Sequence, residues 1–443
     1  MGALPPFEPH LDPPRFLTPD APGTGGRLRD RIEDFIVDEI PAYEPSGDGE
    51  HAMLLVEKRN LSTLVLVRLL ATHFGVRHFD VGYAGLKDRR AITRQAFTIW
   101  LPRARVEDFP AIRDPRVSVL WADRHANKLR RGHLAGNRFS IRIRGVEVRA
   151  VLTARAVLDS LARSGVPNRC AEQRFGTLLN NHRVGRAILL EDPDEVVREL
   201  LAPSPAAPPS QAEARAAFDA GDFRLALDRF SPNARTERNV LRVLARGGSP
   251  RDAARAISRD ERSFFVTAFQ SAIFNDLLNR RLAAGSLASL RPGDIAFKHD
   301  NGALFDVDDG VVADPSTPAR LADLLVSPSG PMWGKGMKRA RPPVDADELD
   351  ALQRTSVSLD HLARFDARLP GLIDGARRPF RVPLRDPQVE AGVDEHGSFI
   401  RCAFELPRGA FATAVMREIM KPAPGTPAPE LSHDEPLDTE PTE

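Results

Sequence analysis

Residues 82–95 read GYAGLKDRRAITRQ and place one carboxylate, that of Asp88, inside a knot of four cations. Those cations are Lys87, Arg89, Arg90 and Arg94. Small residues lead into the stretch, and the alternating run ITRQAFTIW, residues 92–100, leads out of it with the period of a β-strand. Asp88 is therefore predicted to lie in a loop at the end of a strand, where a rigid frame often carries functional residues.

This charged loop has two interpretations. As an exposed turn, its charges would pair with one another and contribute little to stability. As a functional loop, it would use Gly82 and Gly85 for tight turns or for a close backbone approach. The neighbouring cations favour an ionised carboxylate, which can serve as a nucleophile or a general base. The same cations can bind a phosphate backbone, so the context favours the functional interpretation.

The bulk composition permits a large buried core, because 42% of the 443 residues are hydrophobic, and two domains are expected at this length. The net charge is only +1, but residues 422–443 hold six of the 61 acidic residues and no Lys or Arg. The rest of the chain therefore has 62 basic and 55 acidic residues, a net charge of +7. Such a body can attract a polyanion, although a merely solvated surface explains the same excess.

The two cysteines, Cys170 and Cys402, lie far apart in the sequence and have neither CxxC nor histidine-ligand spacing around them. This arrangement argues against a disulfide framework or a zinc site and suits a reducing cytoplasm. No apolar run is long enough to cross a membrane, and the Pro-rich, polar first residues lack the apolar region of a signal peptide. We therefore expect a soluble, cytoplasmic protein without a metal site.

Strand and helix patterns are distributed unevenly along the chain. Strand-like alternation and helical runs, such as NLSTLVLVRLLATHFG at residues 60–75, mix through the first 190 residues. APSPAAPPSQ, residues 202–211, reads as a linker or long loop, and mainly helical patterns follow it. Strand patterns return after residue 375, before a last helix, GAFATAVMREIMK. This order predicts an α+β fold in which one discontinuous domain is interrupted by another.

Taken in order, several segments resemble the TruD family of pseudouridine synthases. The resemblance spans residues 23–421, and its most specific features are an AG-x-KD-[RK] segment, a downstream QRFG and a terminal FAT. The matching stretches are GTGGRLRDRIEDFIVDEI, EPSGDGEH, YAGLKDRRAITRQ, KLRRGHLAGNRF, GVPN with EQRFG, RSFFVTAFQSAIFN and LPRGAFATAVMRE.

The resemblance implies isomerisation of uridine to pseudouridine in RNA, without a metal or a cofactor. It also implies a discontinuous catalytic domain with a mixed sheet, residues 26–190 and 372–421, interrupted by a mainly helical inserted TRUD domain, residues 191–371. Residues 1–25 and 422–443 are predicted to be disordered. Bacterial members of the family modify uridine-13 in the D-arm of transfer RNA, so we expect that target. We also expect a monomer, because nothing in the sequence demands a larger assembly.

By resemblance, Asp88 is the catalytic aspartate and Arg29 is its basic salt-bridge partner. The target uridine would be flipped out of the RNA, and Asp88 would attack the ribose or otherwise assist glycosidic cleavage before the uracil rejoins through carbon 5. A nearby cation favours the ionised aspartate that this chemistry needs and also orients it. Lys87, Arg89 and Arg90 are predicted to serve the RNA backbone.

Five further residues match or accompany the substrate contacts of the family. Phe35 and Phe411 would pack around the flipped nucleotide, because aromatic faces suit unstacked bases, although an ordinary core position is the alternative for both. Asn168 would hydrogen-bond near the base or near the aspartate. Gln173 and Arg174, in the polar loop GVPNRCAEQRFG, complete the predicted substrate-binding set.

The chain departs from the family at one position. The family pattern is usually Asn-x-Phe-Gly, with the phenylalanine stacked on the target base, whereas Asn168 is followed here by Arg169 and Cys170. A stack between a base and an aromatic side chain is worth roughly 1–3 kcal/mol, and a cysteine cannot supply it. Either Arg169 stacks through its guanidinium plane, or another aromatic fills the space, or the activity is weakened or redirected. We expect a replacement within an active enzyme, because Asp88, Arg29 and the QRFG motif are all present.

Two other functions remain open at this stage. A non-catalytic RNA-binding or RNA-folding protein on the same scaffold would keep the basic surface and lose the chemistry, and Cys170 is its support in the sequence. A carboxylate-based hydrolase would need a second catalytic acid, and Asp80 is the nearest one to Asp88 that stands out. The sequence does not decide which RNA is modified.

Overall fold

A computed structural model of the chain describes residues 15–422, except residues 103 and 110 and the side chain of Asp108. All structural statements below refer to this part of the chain. Within it, no helix is both long enough and apolar enough to span a lipid bilayer.

The two segments that the sequence predicts to be disordered, residues 1–25 and 422–443, lie largely outside the described residues. Residues 15–25 are described, and the backbone N–H of Thr24 donates to the carbonyl of Ile419 at 3.0 Å. This part of the N-terminal segment therefore lies against the last helix of the chain.

The described residues form fifteen strands and fourteen α-helices, numbered here in chain order. The strands are β1 (Arg27–Leu28), β2 (Phe35–Pro41), β3 (His51–Arg59), β4 (Val81–Tyr83), β5 (Ile92–Trp100), β6 (Val117–His125), β7 (Leu134–Arg144), β8 (Val166–Pro167), β9 (Ile295–Lys298), β10 (Leu304–Asp306), β11 (Val326–Met332), β12 (Ala376–Pro379), β13 (Arg381–Val382), β14 (Arg385–Asp394) and β15 (Gly397–Pro407). The helices are α1 (Thr63–Phe74), α2 (Val151–Ser164), α3 (Asn181–Leu189), α4 (Pro193–Leu201), α5 (Ala212–Asp219), α6 (Phe223–Arg229), α7 (Arg235–Leu244), α8 (Pro250–Arg255), α9 (Arg259–Ala283), α10 (Asp309–Ala313), α11 (Thr317–Ala322), α12 (Val344–Gln353), α13 (Leu359–Arg368) and α14 (Ala412–Met420).

The chain divides into two compact units. Of the described residues, Leu17–Val166 and residues 382–422 form the first, called the sheet unit, while Pro167–Arg381 form the second, called the helical unit. The sheet unit is thus assembled from two separate parts of the sequence. The domain boundaries that the sequence places after residues 190 and 371 stay predictions, while the two compact units divide after Val166 and Arg381.

The sheet unit is built on a mixed nine-stranded sheet. Seven strands follow the order β14-β15-β7-β2-β5-β3-β6, while β1 pairs with β7 and β4 pairs with β5. The pairing of β2 with β5 is parallel, and the other pairings in this sheet are antiparallel. A mixed sheet combined with helices confirms the predicted α+β class.

The parallel pair decides where the charged loop lies. Ile36 of β2 is opposite Ile92 of β5, so the two strands begin at the same edge of the sheet. The residues that precede β2 are therefore close to the loop that precedes β5, although about sixty residues of chain separate them. The sheet register thus brings the segment around Arg29 to the segment around Asp88.

Helix α1 illustrates how local sequence signals shape the sheet unit. The Ser62 hydroxyl accepts a hydrogen bond from the N–H of Val65, and Gly75 ends the helix in the left-handed conformation at φ 65°. Leu66 and Leu70 lie on its buried face, in an apolar cluster with β3, β4 and β5. Helices α2 and α14 pack in a second cluster with β2, β7 and β15.

The helical unit has its own core. Helices α3 to α8 and the start of α9 share one apolar cluster, which includes Leu241 and Phe265. A four-stranded sheet of order β10-β9-β11-β12 completes the unit. Its β9–β10 pair is a hairpin whose Asn-Gly turn places Gly302 at φ 76°.

Candidate active site

The loop that carries Asp88 is fixed at both ends. Residues 84–91 connect β4 and β5, which pair with each other. A Cβ atom on Gly82 would lie 2.4 Å from Thr98 Oγ1 and 2.5 Å from the carbonyl oxygen of Leu129, so only glycine fits there. The loop therefore leaves one tightly packed strand and enters another, and its conformation depends on both.

Asp88 and Arg29 form an ion pair in the sheet unit. Nη2 of Arg29 donates to Oδ1 of Asp88 at 3.0 Å. The Arg29 side chain is 6% exposed and the Asp88 side chain is 31% exposed, so a buried cation holds an accessible carboxylate. Arg29 has a φ of 60°, in the left-handed region that residues other than glycine rarely adopt. Backbone strain of this kind persists where the surrounding structure demands it, and it is frequent at functional sites.

The Phe35 ring packs against the Arg29 guanidinium. The Arg29 Cζ atom lies 3.9 Å from the ring centroid, close enough for a cation–π contact. Phe35 is buried in the core of the sheet unit and meets Phe139 edge to face at 6.5 Å. One face of the ring is therefore occupied by Arg29, and the predicted contact between Phe35 and a flipped nucleotide stays a prediction.

Lys87 does not lie where the sequence suggests. The sequence predicts that it serves the RNA backbone, but its side chain is only 5% exposed. Its Nζ lies 2.7 Å from Oε2 of Glu39 and donates to Oδ1 of Asn137 at 2.7 Å. An ammonium that is buried between a carboxylate and an amide cannot reach an external phosphate. Lys87 instead fastens the loop to β2 and β7, which corrects the sequence-based assignment.

Lys58 is a second buried lysine beside the loop, and the sequence reasoning missed it. Its side chain is fully buried, and Nζ donates to the carbonyl oxygens of Asp88 at 2.8 Å and Leu61 at 2.5 Å. A signal was present, because Lys58 is in phase with Leu54 and Val56 on β3, both of which are buried. A lysine that continues the inward-facing set of a strand is itself predicted to face inward.

Exposed cations surround the accessible side of the loop. Arg89 and Arg90 are exposed, as a contact with RNA phosphates requires. The N–H of Gly132 donates to the carbonyl of Ala84 at 2.8 Å, which brings the basic run KLRR, residues 128–131, beside the start of the loop. This face of the sheet unit can therefore attract a polyanion.

Phe411 lies at the beginning of α14 and is half-buried. The loop that precedes this helix is tied to the same region, since Nη1 of Arg408 donates to the carbonyl of Gly132 at 2.7 Å. Gly132 in turn contacts Ala84 of the Asp88 loop. The structure thus connects the Phe411 segment with the Asp88 segment through one intervening loop.

Asn168 is buried in the helical unit, and its amide is bonded there. Its Nδ2 donates to the carbonyl of Pro379 at 2.9 Å, and its Oδ1 accepts from Nη2 of Arg378 at 2.5 Å. Its backbone N–H donates to the carbonyl of Phe380 at 2.8 Å. The predicted contact near the base or the aspartate stays a prediction.

Cys170, which replaces the usual phenylalanine of the family, is also buried. Its backbone N–H donates to Oδ1 of Asn275 at 2.9 Å, and its carbonyl accepts from Nδ2 of the same residue at 3.0 Å. Nη2 of Arg169 donates to Oδ1 of Asn279. The guanidinium that we considered as a substitute for the aromatic ring is thus held by an asparagine of α9.

Gln173 and Arg174 follow on a short 3-10 helix, residues Glu172–Phe175. Gln173 is exposed, while Arg174 is half-buried with its Cζ atom 5.7 Å from the centroid of the Phe264 ring. Burial lowers the pKa of the Arg174 guanidinium, which nevertheless stays charged in water at neutral pH.

The sheet unit therefore offers one accessible carboxylate, a buried arginine behind it and exposed arginines around it. This set can bind a polyanion and present an ionised carboxylate to an electrophilic carbon. In the part of the chain that the structure describes, no three His, Cys, Asp or Glu residues group together as a metal site would require.

Comparisons of sequence and of structure with known proteins agree on one family. The sequence model of the family described as "tRNA pseudouridine synthase D (TruD)" matches residues 14–419. The proteins named tRNA pseudouridine synthase D of Geobacter metallireducens and Geotalea daltonii are 42% and 41% identical to this chain, over 92% of its length and over 98% and 99% of theirs. A solved structure of a putative tRNA pseudouridine synthase D (TruD) from Methanosarcina mazei superposes with a TM-score of 0.79 at 28% identity, and covers 96% of this chain and 99% of that one.

Proposed function

Because the chain belongs to the TruD family of pseudouridine synthases, we propose that it converts a uridine of transfer RNA to pseudouridine, and that its target is uridine-13 in the D-arm. The observation that most supports the proposal is the ion pair of Asp88 with Arg29 at 3.0 Å, which holds an accessible carboxylate among exposed cations. The enzyme would act as a monomer, without a cofactor, in the cytoplasm where transfer RNA is found.

The reaction exchanges one bond for another within a single nucleotide. The uridine is first flipped out of the RNA. Ionised Asp88 attacks C1′ of the ribose, or otherwise assists cleavage there, and the bond from C1′ to N1 of uracil breaks. The uracil turns and its C5 bonds to C1′; where Asp88 has bonded to C1′, that carbon–oxygen bond breaks in the same step and frees the carboxylate. The C5 proton then leaves to solvent and N1 gains a proton. Substrate and product are isomers, so no oxidant or further reactant is needed.

Arg29 orients the carboxylate for this step. It engages Oδ1 of Asp88, so Oδ2 is the oxygen that we propose for the reaction at the sugar. A charge-assisted hydrogen bond is shorter and stronger than a neutral one, particularly where the donor is buried. The cation thereby reduces the number of orientations that Asp88 samples before the nucleotide arrives.

The remaining substrate contacts are divided by type. Arg89 and Arg90 would bind backbone phosphates, because both are exposed beside Asp88. Phe35 would act through the Arg29 guanidinium that it supports. The other contacts that we propose are those of Phe411, Asn168, Gln173 and Arg174.

The deciding test compares Asp88→Asn with wild-type protein on transfer RNA that carries uridine tritiated at carbon 5. Loss of the carboxylate should lower tritium release by about 10³-fold or more, because the amide cannot act as the anionic group. Asp80→Asn is the matched control, since Asp80 pairs with Arg77 on an exposed turn of the same unit. Retained turnover in Asp88→Asn would refute the role.

The proposed target needs its own test. A transfer RNA transcript with cytidine in place of uridine-13 should release no tritium, and release from it would place the target elsewhere. Wild-type protein that binds transfer RNA but yields no pseudouridine would instead favour the non-catalytic RNA-binding function.

A further inference from the structure

Lys58 makes contacts that the proposed chemistry does not use directly. Its ammonium donates to the carbonyl oxygens of Leu61 at 2.5 Å, Asp88 at 2.8 Å and Lys87 at 3.4 Å. The last two belong to the loop between β4 and β5. Burying a charged group costs free energy unless it is bonded, so a fully buried lysine that bonds main-chain carbonyls calls for an explanation.

The same loop is held by two further buried side chains. Nε2 of Gln95 donates to the carbonyl of Gly85 at 3.0 Å. The Thr63 hydroxyl accepts from the backbone N–H of Lys87 at 2.9 Å and donates to Oε1 of Gln95 at 3.1 Å. The backbone from Gly85 to Lys87 is thus held by hydrogen bonds to buried polar side chains of α1 and β5. Lys58 extends this support to the backbone of Asp88 itself.

We propose that Lys58 is a positioning residue for Asp88, an inference that rests on the proposed function. Arg29 fixes one carboxylate oxygen and Lys58 fixes the main-chain carbonyl of the same residue, so the side chain is held at both ends. A misplacement of about 1 Å at a reacting group can cost about 10²-fold in rate. Removing the ammonium would let the loop shift by distances of this order. The long, exposed side chains of Arg89 and Arg90 can still reach RNA phosphates after so small a shift.

The principal experiment uses full-length protein with Lys58→Met and measures single-turnover tritium release, with enzyme in excess over transfer RNA. The rate should fall about 10²-fold, while the dissociation constant for transfer RNA stays at its wild-type value. Val56→Ala is the matched control, because Val56 is equally buried two residues earlier on β3 and belongs to the apolar cluster. It should be destabilised yet keep the wild-type rate at a temperature where all variants are folded.

Lys58→Gln provides a second variant if the methionine variant does not fold. The amide can still donate to carbonyls but carries no charge, so its rate should lie between those of wild type and Lys58→Met. A wild-type single-turnover rate in either substituted protein would overturn the inference. A loss of rate that Val56→Ala shares would also overturn it. So would weaker binding of transfer RNA without a change in the single-turnover rate.

Hydrogen exchange separates this inference from the proposed function. Amides of residues 84–91 should exchange faster in Lys58→Met than in wild type, and Val56→Ala should leave the ratio of this loop to the rest of the sheet unit unchanged. If wild-type protein releases no tritium, the proposed function fails, and exchange still reports whether Lys58 holds the loop. If wild-type protein is active and residues 84–91 exchange equally fast in Lys58→Met and wild type, the positioning role alone is refuted.

Discussion

At the scale of single residues, Arg29 combines two contacts that lysine cannot reproduce. Its planar guanidinium lies 3.9 Å from the Phe35 ring centroid and also donates to Asp88 at 3.0 Å. A lysine ammonium pairs as a point charge and cannot lie flat on a ring. We therefore expect Arg29→Lys to lower the single-turnover rate about tenfold, as the loss of a partly desolvated cation–π contact allows, and Arg29→Met to lower it further.

A double-mutant cycle decides how Phe35 contributes. If the ring acts through Arg29, Phe35→Leu should lower the rate of wild-type protein and have no further effect in the Arg29→Met background. A ring that stacks on the flipped nucleotide would instead reduce the rate in both backgrounds. Tritium release under single-turnover conditions measures both arms of the cycle.

The contrast between Lys87 and Asp88 shows what the sequence could not reveal at this scale. Neighbours in an extended segment point to opposite sides, so residues that are adjacent in sequence need not share an environment. Lys87 is buried against Glu39, while Asp88 keeps an accessible carboxylate. The cations that are adjacent to Asp88 in the sequence are therefore not all close to its carboxylate. The cation that pairs with Asp88 is Arg29, from a distant part of the sequence.

At the scale of elements, sequence patterns located strands well and their partners poorly. Period-two alternation predicts β5 with its observed bounds, Ile92–Trp100, because the pattern is local to the strand. A cap at Asn60 or Ser62 and a stop at Gly75 likewise predict α1, and the structure places the cap at Ser62. The parallel pairing of β2 with β5 depends on contacts across some sixty residues, and no local pattern records it.

The alternating pattern of buried residues on β2 and β3 also indicates residues that support the candidate site. Glu39 continues the buried set of Phe35 and Val37 on β2, just as Lys58 continues that of Val56 on β3. A charged residue in an apolar phase must find a partner inside the protein. Both residues do so beside the Asp88 loop, so charged residues that break an inward-facing pattern would have identified two of its supports.

The Arg144 cluster connects several elements of the sheet unit and leads to a pH prediction. Arg144, at the end of β7, lies 2.7 Å from Oδ1 of Asp34 and 2.9 Å from Oδ1 of Asp394. The hydrogen bond from Arg144 holds the pKa of the Asp394 carboxyl well below its usual range. A carboxyl with a depressed pKa stabilises the fold above its unfolded pKa, about 3.9, and loses that contribution as the pH falls.

Asp394→Asn should therefore make the free energy of unfolding less dependent on pH below about pH 4, and lower it at neutral pH. Urea titrations between neutral and acidic pH measure this dependence. Asp386→Asn is a suitable control, since Asp386 forms an exposed pair with Arg138 on the same sheet, and exposed pairs contribute little. An identical pH dependence in Asp394→Asn and wild type would contradict the role of the Arg144 bond.

At the scale of the whole molecule, the two units differ in how they are assembled. The sheet unit joins strands from both ends of the chain in one sheet, with β15 beside β7 and Phe404 opposite Phe139. The helical unit draws its core from one continuous stretch of the chain. Each unit has apolar clusters of its own, so the stability of each can be changed by a substitution within it.

The two cysteines report on the two units separately. Cys402 lies in the core of the sheet unit, where burial raises the pKa of its thiol to about 12, and Cys170 is buried in the helical unit. Native protein should therefore react slowly with a thiol reagent at both positions, because both thiols are buried and because the thiolate, the reactive form, is scarce at Cys402. Phe404→Ala should remove roughly 3–5 kcal/mol from the sheet unit and speed labelling of Cys402 by about 10² or more. Leu241→Ala should act in the same way on Cys170, and mass spectrometry of labelled peptides distinguishes the two sites. Equal acceleration at both cysteines by either substitution would show that the units unfold as one.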